Sequence, residues 1–308
     1  VTYMEKRHLG TSDLLVSTLG LGCMSLGTEQ KHAVNMIDEA LEYGINYFDT
    51  ADLYDFGLNE EFVGQALKKR RNDIILATKV GNRWNDAKDS WTWDPSKAYI
   101  KEEVKESLRR LQTDYIDLYQ LHGGTVEDNI EETIEAFEEL KQEGVIRYYG
   151  ISSIRPNVIR EYVQNSSIVS VMMQYSLLDR RPEESALPLL HDNGISVVAR
   201  GPVAKGLLTE KGEQKLAAFE GKGYLDYSGT ELAKTLEEFR HVRPTYSLNS
   251  TALQYCLANP AVASVVAGAS SSSQLRENVK AVETSPLQPT EVNKLQSIFK
   301  TNQYEAHR

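Results

Sequence analysis

Eight short, apolar, β-branched runs recur along the chain, each separated from the next by a longer amphipathic and charged stretch. The runs are Thr18–Gly22, Asn46–Thr50, Ile74–Lys79, Ile116–Leu121, Tyr148–Ser152, Val169–Gln174, Ser196–Arg200 and Ser264–Ala269. Their brevity and near-continuous hydrophobicity fit strands buried on both faces. The stretches between read as helices, most clearly His32–Tyr43, Asn59–Lys69, Ser96–Leu111, Ile130–Glu143, Glu183–Asp192, Asn249–Ala258 and Gln274–Ala281. Ile100, Val104, Leu108 and Leu111 make an apolar stripe at helical spacing. Gly44, Gly144 and Gly194 follow helix patterns and precede strands, where a left-handed C-cap is wanted. Strand and helix in strict alternation imply βαβ units and a parallel sheet.

Such a sheet either closes into a barrel or stays open and doubly wound. An open sheet usually carries a G-x-G-x-x-G turn after its first strand. "GLGCMSLG" at positions 20–27 does not spell it, so the expected fold is α/β, a (β/α)8 barrel. Its 308 residues suit one barrel domain over 1–308. Tyr3–Leu9 and Leu14–Val16 flank a turn at Gly10–Asp13 and read as a hairpin that plugs the barrel bottom. Two segments break the rhythm. Gly81–Pro95 reads as a loop after the third strand and carries all three tryptophans. Thr209–Ser247, with a helical stretch at Thr230–Arg240, is a long excursion after the seventh strand. Loops after barrel strands lie on the active-site face, and long ones there serve as lids or binding loops.

The balance of 34 basic and 44 acidic side chains gives a net charge of −10, which disfavours nucleic acid and anionic membranes as partners. Two distant cysteines, Cys23 and Cys256, suggest neither a disulfide framework nor a cysteine metal site. A polar Val1–Gly10 and the lack of a long apolar run fit a soluble, cytoplasmic protein.

The chemistry lies at the strand ends. Asp49 ends the second strand, with Tyr54 in the loop beyond; Lys79 ends the third, and His122 follows the fourth. Singly, each has an ordinary structural role: a cap, a half-buried aromatic, a solvated strand end, a satisfied polar residue. Jointly they converge on one mouth as an acid–base set. A tyrosine is a weak acid, and a nearby ammonium favours its phenolate. Lys79 supplies that charge, Asp49 aims Lys79, and His122 donates to a carbonyl oxygen. This set suits hydride reduction of a carbonyl, where an oxygen gains negative charge and must be protonated. Met24, Trp84, Trp91 and Trp93 are candidates for an apolar substrate wall, the alternative for the tryptophans being a hydrophobic cluster under their own loop.

"NYFDTADLYDFGLNEEFVGQALK" (46–68), "ATK" (77–79), "DYIDLYQLH" (114–122), "GISS" (150–153) and "MQYSLL" (173–178) resemble the aldo-keto reductase superfamily, over nearly the whole chain. The resemblance looks closest to bacterial members akin to the potassium-channel β subunits. It implies NAD(P)H-dependent reduction of aldehydes and ketones, with Asp49, Tyr54, Lys79 and His122 as a catalytic tetrad and Tyr54 as general acid. It implies that Ser152 and Gln174 bind the nicotinamide carboxamide and that Tyr175 stacks on the ring. Arg200, Gly201, Pro202, Gly206 and Leu208 match the pyrophosphate segment. Gly268, Ser270, Ser272, Gln274, Glu277 and Asn278 match the segment around the adenosine and its 2′-phosphate. No metal is implied.

The sequence departs from its relatives at several of these places. Ser153 stands where Asn is usual and Gly201 where Ser is common. Gly268 and Gln274 occupy positions where many relatives carry Lys and Arg against the 2′-phosphate. NADPH is still the expected cofactor, NADH the weaker one. The expected preference is on the order of tenfold to a hundredfold, because neutral donors bind phosphate less strongly than charged ones. The run Ser270–Ser273 has an equal reading as a helix cap, with Ser272 or Ser273 at the N-cap. A cofactor-binding sensor with little turnover is the rival to an enzyme. A metal-dependent barrel enzyme would want a cluster of His and carboxylates at several strand ends, and only His122 stands at one.

Overall fold

A computed structural model describes residues 4–219 and 222–308. The elements in chain order are β1 (Lys6–His8), β2 (Leu15–Ser17), β3 (Leu19–Gly22), α1 (Gln30–Glu42), β4 (Tyr47–Asp49), α2 (Leu58–Leu67), β5 (Ile75–Val80), β6 (Asn82–Trp84), β7 (Trp91–Trp93) and α3 (Lys97–Leu111). There follow β8 (Ile116–Leu121), α4 (Ile130–Glu143), β9 (Ile146–Ser152), α5 (Pro156–Asn165), β10 (Ser170–Gln174), α6 (Ala186–Asp192), β11 (Ser196–Arg200) and α7 (Gly212–Leu216). The chain ends with α8 (Gly229–Phe239), α9 (Leu248–Ala258), β12 (Val262–Gly268), α10 (Ser272–Glu283) and α11 (Pro289–Ile298).

Eight strands, β3, β4, β5, β8, β9, β10, β11 and β12, close into a parallel barrel in chain order, as the alternation predicts. Each coincides with one of the eight apolar runs to within two residues. The antiparallel pair β1–β2 lies across the bottom and drives Leu9, Leu14 and Val16 into an interior cluster with Tyr47, Ile75, Ala77 and Leu118. The expected hairpin is therefore present; its outermost residue, Tyr3, lies outside the described residues. A second, larger cluster fills the space between the barrel and its helices.

Three features were not read from the sequence. Gly81–Pro95 contains the antiparallel hairpin β6–β7, in which Trp84 pairs with Trp91 and Asn82 with Trp93. Helices α5 and α11 both begin on a proline at the first helical position, where the missing N–H costs nothing. The helix expected over Glu183–Asp192 starts only at Ala186, preceded by one tight turn at Arg181–Glu183. The helix expected over Thr230–Arg240 is α8, started by a reciprocal cap between Ser228 and Glu231. Residues 220 and 221 of the long excursion fall outside the described residues. No described helix is long and apolar enough to cross a membrane.

Candidate active site

Because successive strand residues alternate in direction, Tyr47 and Asp49 on β4, Ala77 and Lys79 on β5, and Leu118 and Gln120 on β8 point the same way, into the barrel. The first of each pair joins the interior core; the second meets its counterparts at the mouth. Lys79 is almost wholly enclosed. Its ammonium donates to Asp49 Oδ1 at 2.5 Å, to the Thr50 carbonyl at 2.9 Å and to the Tyr54 hydroxyl oxygen at 3.1 Å. A lysine ammonium has three N–H bonds, and all three are used. Burial disfavours the charged form of Lys79, but the Asp49 charge and the interactions with Asp49 and Tyr54 outweigh it and hold the ammonium charged, above its ordinary range.

Tyr54 is partly exposed, and its oxygen already accepts from Lys79, so its own O–H points elsewhere. Its ring meets His122 edge to face, with centroids 6.0 Å apart. Burial, assisted by the positive charges of Lys79 and Arg200, depresses the His122 imidazole to about 3. His122 is therefore neutral near pH 7. Its Nδ1 is buried without a hydrogen-bond partner, which leaves Nε2 as the nitrogen available to a ligand. The structure thus brings Asp49, Tyr54, Lys79 and His122 together.

Sequence reasoning missed Gln120, whose side-chain amide donates to Asp49 Oδ2 at 2.9 Å and fixes the carboxylate from behind. Its signal was available: it stands two residues before His122, on the same side of one strand. Asp179 was also missed. Fully buried, it grips Arg181 through both oxygens and takes a bond from Gln174 Nε2 at 2.9 Å.

The cofactor candidates divide. Ser152 stands partly exposed at the end of β9, and Ser153 beside it is buried with its hydroxyl accepting from the Arg155 N–H. Gln174 Oε1 accepts from Arg200 at 3.4 Å, and Arg200 is exposed at the mouth. Tyr175 is not at the mouth. Its ring is buried under α6 and α9, and its hydroxyl donates to Glu183 at 2.8 Å, because residue 175 follows inward-facing Gln174 and must point outward. Stacking on a ligand in the barrel is closed to it.

Gly206, Gly268, Gln274, Glu277 and Asn278 line one groove of about 420 Å³ between the loop after β11 and the start of α10. Gly201 and Gly206 have φ of 63° and 89°, the left-handed region that favours glycine. Pro202 and Leu208 are buried and anchor this loop. A Cβ on Gly268 would meet Ser25 Oγ at 2.5 Å, so a side chain there requires Ser25 to move. Ser270 is tied to Gln274 Oε1 through both its N–H and its hydroxyl. Ser272 turns away, donating to Glu39 on α1 at 2.6 Å. The N-cap of α10 is Ser271, not Ser272 or Ser273. Arg276 likewise faces α1, with its Nε on the Tyr43 hydroxyl. The groove is nevertheless cationic, since Lys205, Lys211, Lys215 and Lys280 line it with Glu210 and Glu277. None of these lysines was singled out in the sequence.

The tryptophans also part company. Trp93 packs over Gly81 and Gly123, beside His122, and donates to Asp128 at 3.0 Å. Trp84 donates to the Asp52 carbonyl at 3.1 Å and lies between α3 and the Tyr54 loop, where its ring meets Phe56 edge to face. Trp91, at the start of β7, and Met24 are exposed on segments that follow barrel strands, as are Val126 and Leu225.

Comparison with known proteins accords with this geometry. Residues 18–300 match the model of the aldo/keto reductase family. The chain is 65% identical to the uncharacterized oxidoreductase YqkF of Bacillus subtilis, over 99% of this chain and all of that one. It is 34% identical to an NADH-specific methylglyoxal reductase of Escherichia coli, covering 91% and 94% of the two chains. Against a "probable voltage-gated potassium channel subunit beta" of Arabidopsis thaliana the identity is 30% over 97% of each, so the channel-subunit branch is a distant relative beside YqkF. The solved holo form of aldo-keto reductase AKR11C1 from Bacillus halodurans superposes with a TM-score of 0.95 at 63% identity, over 99% of this chain and all of that one. The chain belongs to the aldo/keto reductase family.

Proposed function

We propose that the protein reduces aldehydes and ketones at the expense of NADPH, with Tyr54 as the proton donor. The single observation that carries this reading is the saturated Lys79: its three bonds fix a cation beside the Tyr54 oxygen while leaving the phenolic proton free. A carbonyl oxygen between Tyr54 and neutral His122 receives a hydrogen bond from each. As negative charge builds on that oxygen, the phenol gives up its proton and the Lys79 charge stabilises the phenolate left behind. NADPH, when bound, supplies the hydride.

The four lysines of the groove support NADPH, because in a chain of net charge −10 they gather positive charge where a 2′-phosphate and pyrophosphate would lie. They also alter the expectation of a phosphate site made of neutral donors only. The flat guanidinium of Arg200, next to Gln174, is suited to cover the nicotinamide ring in place of Tyr175. Apolar Met24, Trp91, Val126 and Leu225 around the face, with Trp93 at the mouth, favour carbonyl substrates with an apolar body.

Tyr54→Phe tests the acid. Turnover of an aromatic aldehyde should fall by on the order of 100-fold or more, while NADPH binding, read by fluorescence, stays near wild type. A variant that reduces the aldehyde at close to the wild-type rate would falsify the assignment. Lys215→Ala tests the cofactor: NADPH binding should weaken about tenfold and NADH binding much less. Tighter NADH binding by the wild type would reject NADPH as the preferred cofactor, and equal weakening of both by Lys215→Ala would assign Lys215 to the pyrophosphate rather than to the 2′-phosphate.

A further inference from the structure

Behind the Tyr54 loop lies a buried set of charges that the reduction itself does not use. Asp52, Glu60, Glu103 and Arg110 are all buried, Asp52 and Glu60 completely. Three carboxyl groups thus surround one guanidinium. Arg110 Nε donates to Glu60 Oε1 at 2.7 Å, and Nη2 reaches Glu103 Oε1 at 3.3 Å. Glu60 Oε2 is further bound by the Thr78 hydroxyl and Glu103 Oε2 by the Tyr99 hydroxyl. Asp52 receives nothing: neither of its oxygens has a donor. Its carboxyl lies within hydrogen-bonding reach of Glu103. Ionised carboxylates only accept, so two of them can bond only when one carries a proton.

We infer that Asp52 carries a proton and donates it in a hydrogen bond to Glu103, and that this acid–carboxylate pair ties the Tyr54 loop to α3. Asp52 is a positioning residue: it stands two places before Tyr54, with its N–H on the Lys79 carbonyl at 3.4 Å and its carbonyl held by Trp84. The loop needs such an anchor. Asp55 and Phe56, immediately after Tyr54, both have φ of 50°, a conformation that costs free energy in residues other than glycine and persists only where surroundings enforce it. Glu60 on α2 and Tyr99, Glu103 and Arg110 on α3 face Asp52, and Tyr119 of β8 lies in the same field. Burial drives the Asp52 carboxyl well above the usual carboxylate range, and Glu103 and Glu60 push it further, against Arg110.

The inference rests on Tyr54 as the proton donor for its catalytic consequence, but its central claim is read without turnover. In infrared difference spectra between the wild type and Asp52→Asn, the wild type should show a protonated carboxylic C=O band that shifts in D2O, and Asp52→Asn should lack it. Persistence of that band in both Asp52→Asn and Glu103→Gln would overturn the inference. A proton held in the folded state but lost from the unfolded one makes stability fall as pH rises above about 4. Asp52→Asn, whose amide donates to Glu103 without titrating, should flatten that slope; an unaltered slope counts against the proton on Asp52. Asp52→Ala should lower kcat by on the order of 10- to 100-fold with little change in NADPH binding, and Asp52→Asn should recover most of the loss. An Asp52→Ala enzyme with wild-type kcat refutes the positioning role, and if that variant does not fold, the infrared band and the Asn variant decide.

Discussion

Along β4, Tyr47 and Asp49 stand two residues apart and both point into the barrel, yet one packs against the sealing hairpin and the other holds the Lys79 ammonium. The same change occurs on β5 between Ala77 and Lys79, and on β8 between Leu118 and Gln120. Two strand residues span only about 7 Å. Within that distance the barrel interior passes from an apolar floor to a mouth where every partner of Lys79 is polar. The floor gains from burial of apolar surface. The mouth pays for desolvating a lysine and an aspartate, which the pair's mutual attraction offsets only because Thr50, Tyr54 and Gln120 complete their bonds. Apolar packing and a buried ion pair are thus assigned to opposite ends of the same strands.

The largest expected effect comes from Lys79→Met. It should lower turnover by on the order of 100-fold or more and also cost about 3–5 kcal/mol, because Asp49 is left as a buried, uncompensated carboxylate. Pairing it with Asp49→Asn should restore most of the stability and none of the activity, as denaturant melts and rate assays would show. If the double variant is no more stable than the single, the mouth is not the costly end. At the floor, Leu14→Ala should cost about 2–5 kcal/mol while the folded enzyme keeps a kcat near wild type. A matching fall in kcat at full folding would show that the two ends are coupled.

The imidazole of His122 gives a smaller effect. Its folded value of about 3 lies below the ordinary 6.5, so its neutral form contributes stability that is complete above about 6.5 and lost as pH falls toward 3. His122→Gln should flatten this part of the acid limb in melts taken between those pH values; an identical limb would mean that His122 is protonated in the folded state. Smallest is Met24→Ser, at an exposed position. It should leave stability within about 0.5 kcal/mol and raise KM several-fold for an apolar aldehyde only. No change in KM would remove Met24 from the substrate rim.

The strands and the meeting of Asp49, Tyr54, Lys79 and His122 were legible because both follow local rules: apolar runs of fixed length, and polar residues at strand ends. Tyr175 shows where that reading failed. Placing it at the mouth ignored the alternation that had already sent Gln174 inward. Ser272 failed for a different reason, since a helix start can bind either a ligand or its neighbour, and only the approach of α1 with Glu39 decides. The groove lysines were invisible because Lys205, Lys211 and Lys215 on one loop and Lys280 on α10 converge only after the barrel closes. Asp52 was likewise passed over, since the acidic groups around it, Glu60 and Glu103, come from two helices.

Closure of the barrel depends on β12 pairing with β3, Gly268 beside Gly22, across roughly 245 residues of sequence. On a ribosome adding about 5–20 residues per second, the first barrel strand waits on the order of 12–50 s for its last neighbour. During that interval β3 presents an unpaired edge, the kind of surface that recruits foreign strands. The hairpin β1–β2 is complete long before then, and it sits against the region where the last strand must arrive: Arg7 Nη1 bonds the Leu257 and Val262 carbonyls, each at 2.9 Å. An element that seals the finished molecule is thus also in place throughout the wait for β12, and its loss should show as poorer yield of soluble protein during synthesis.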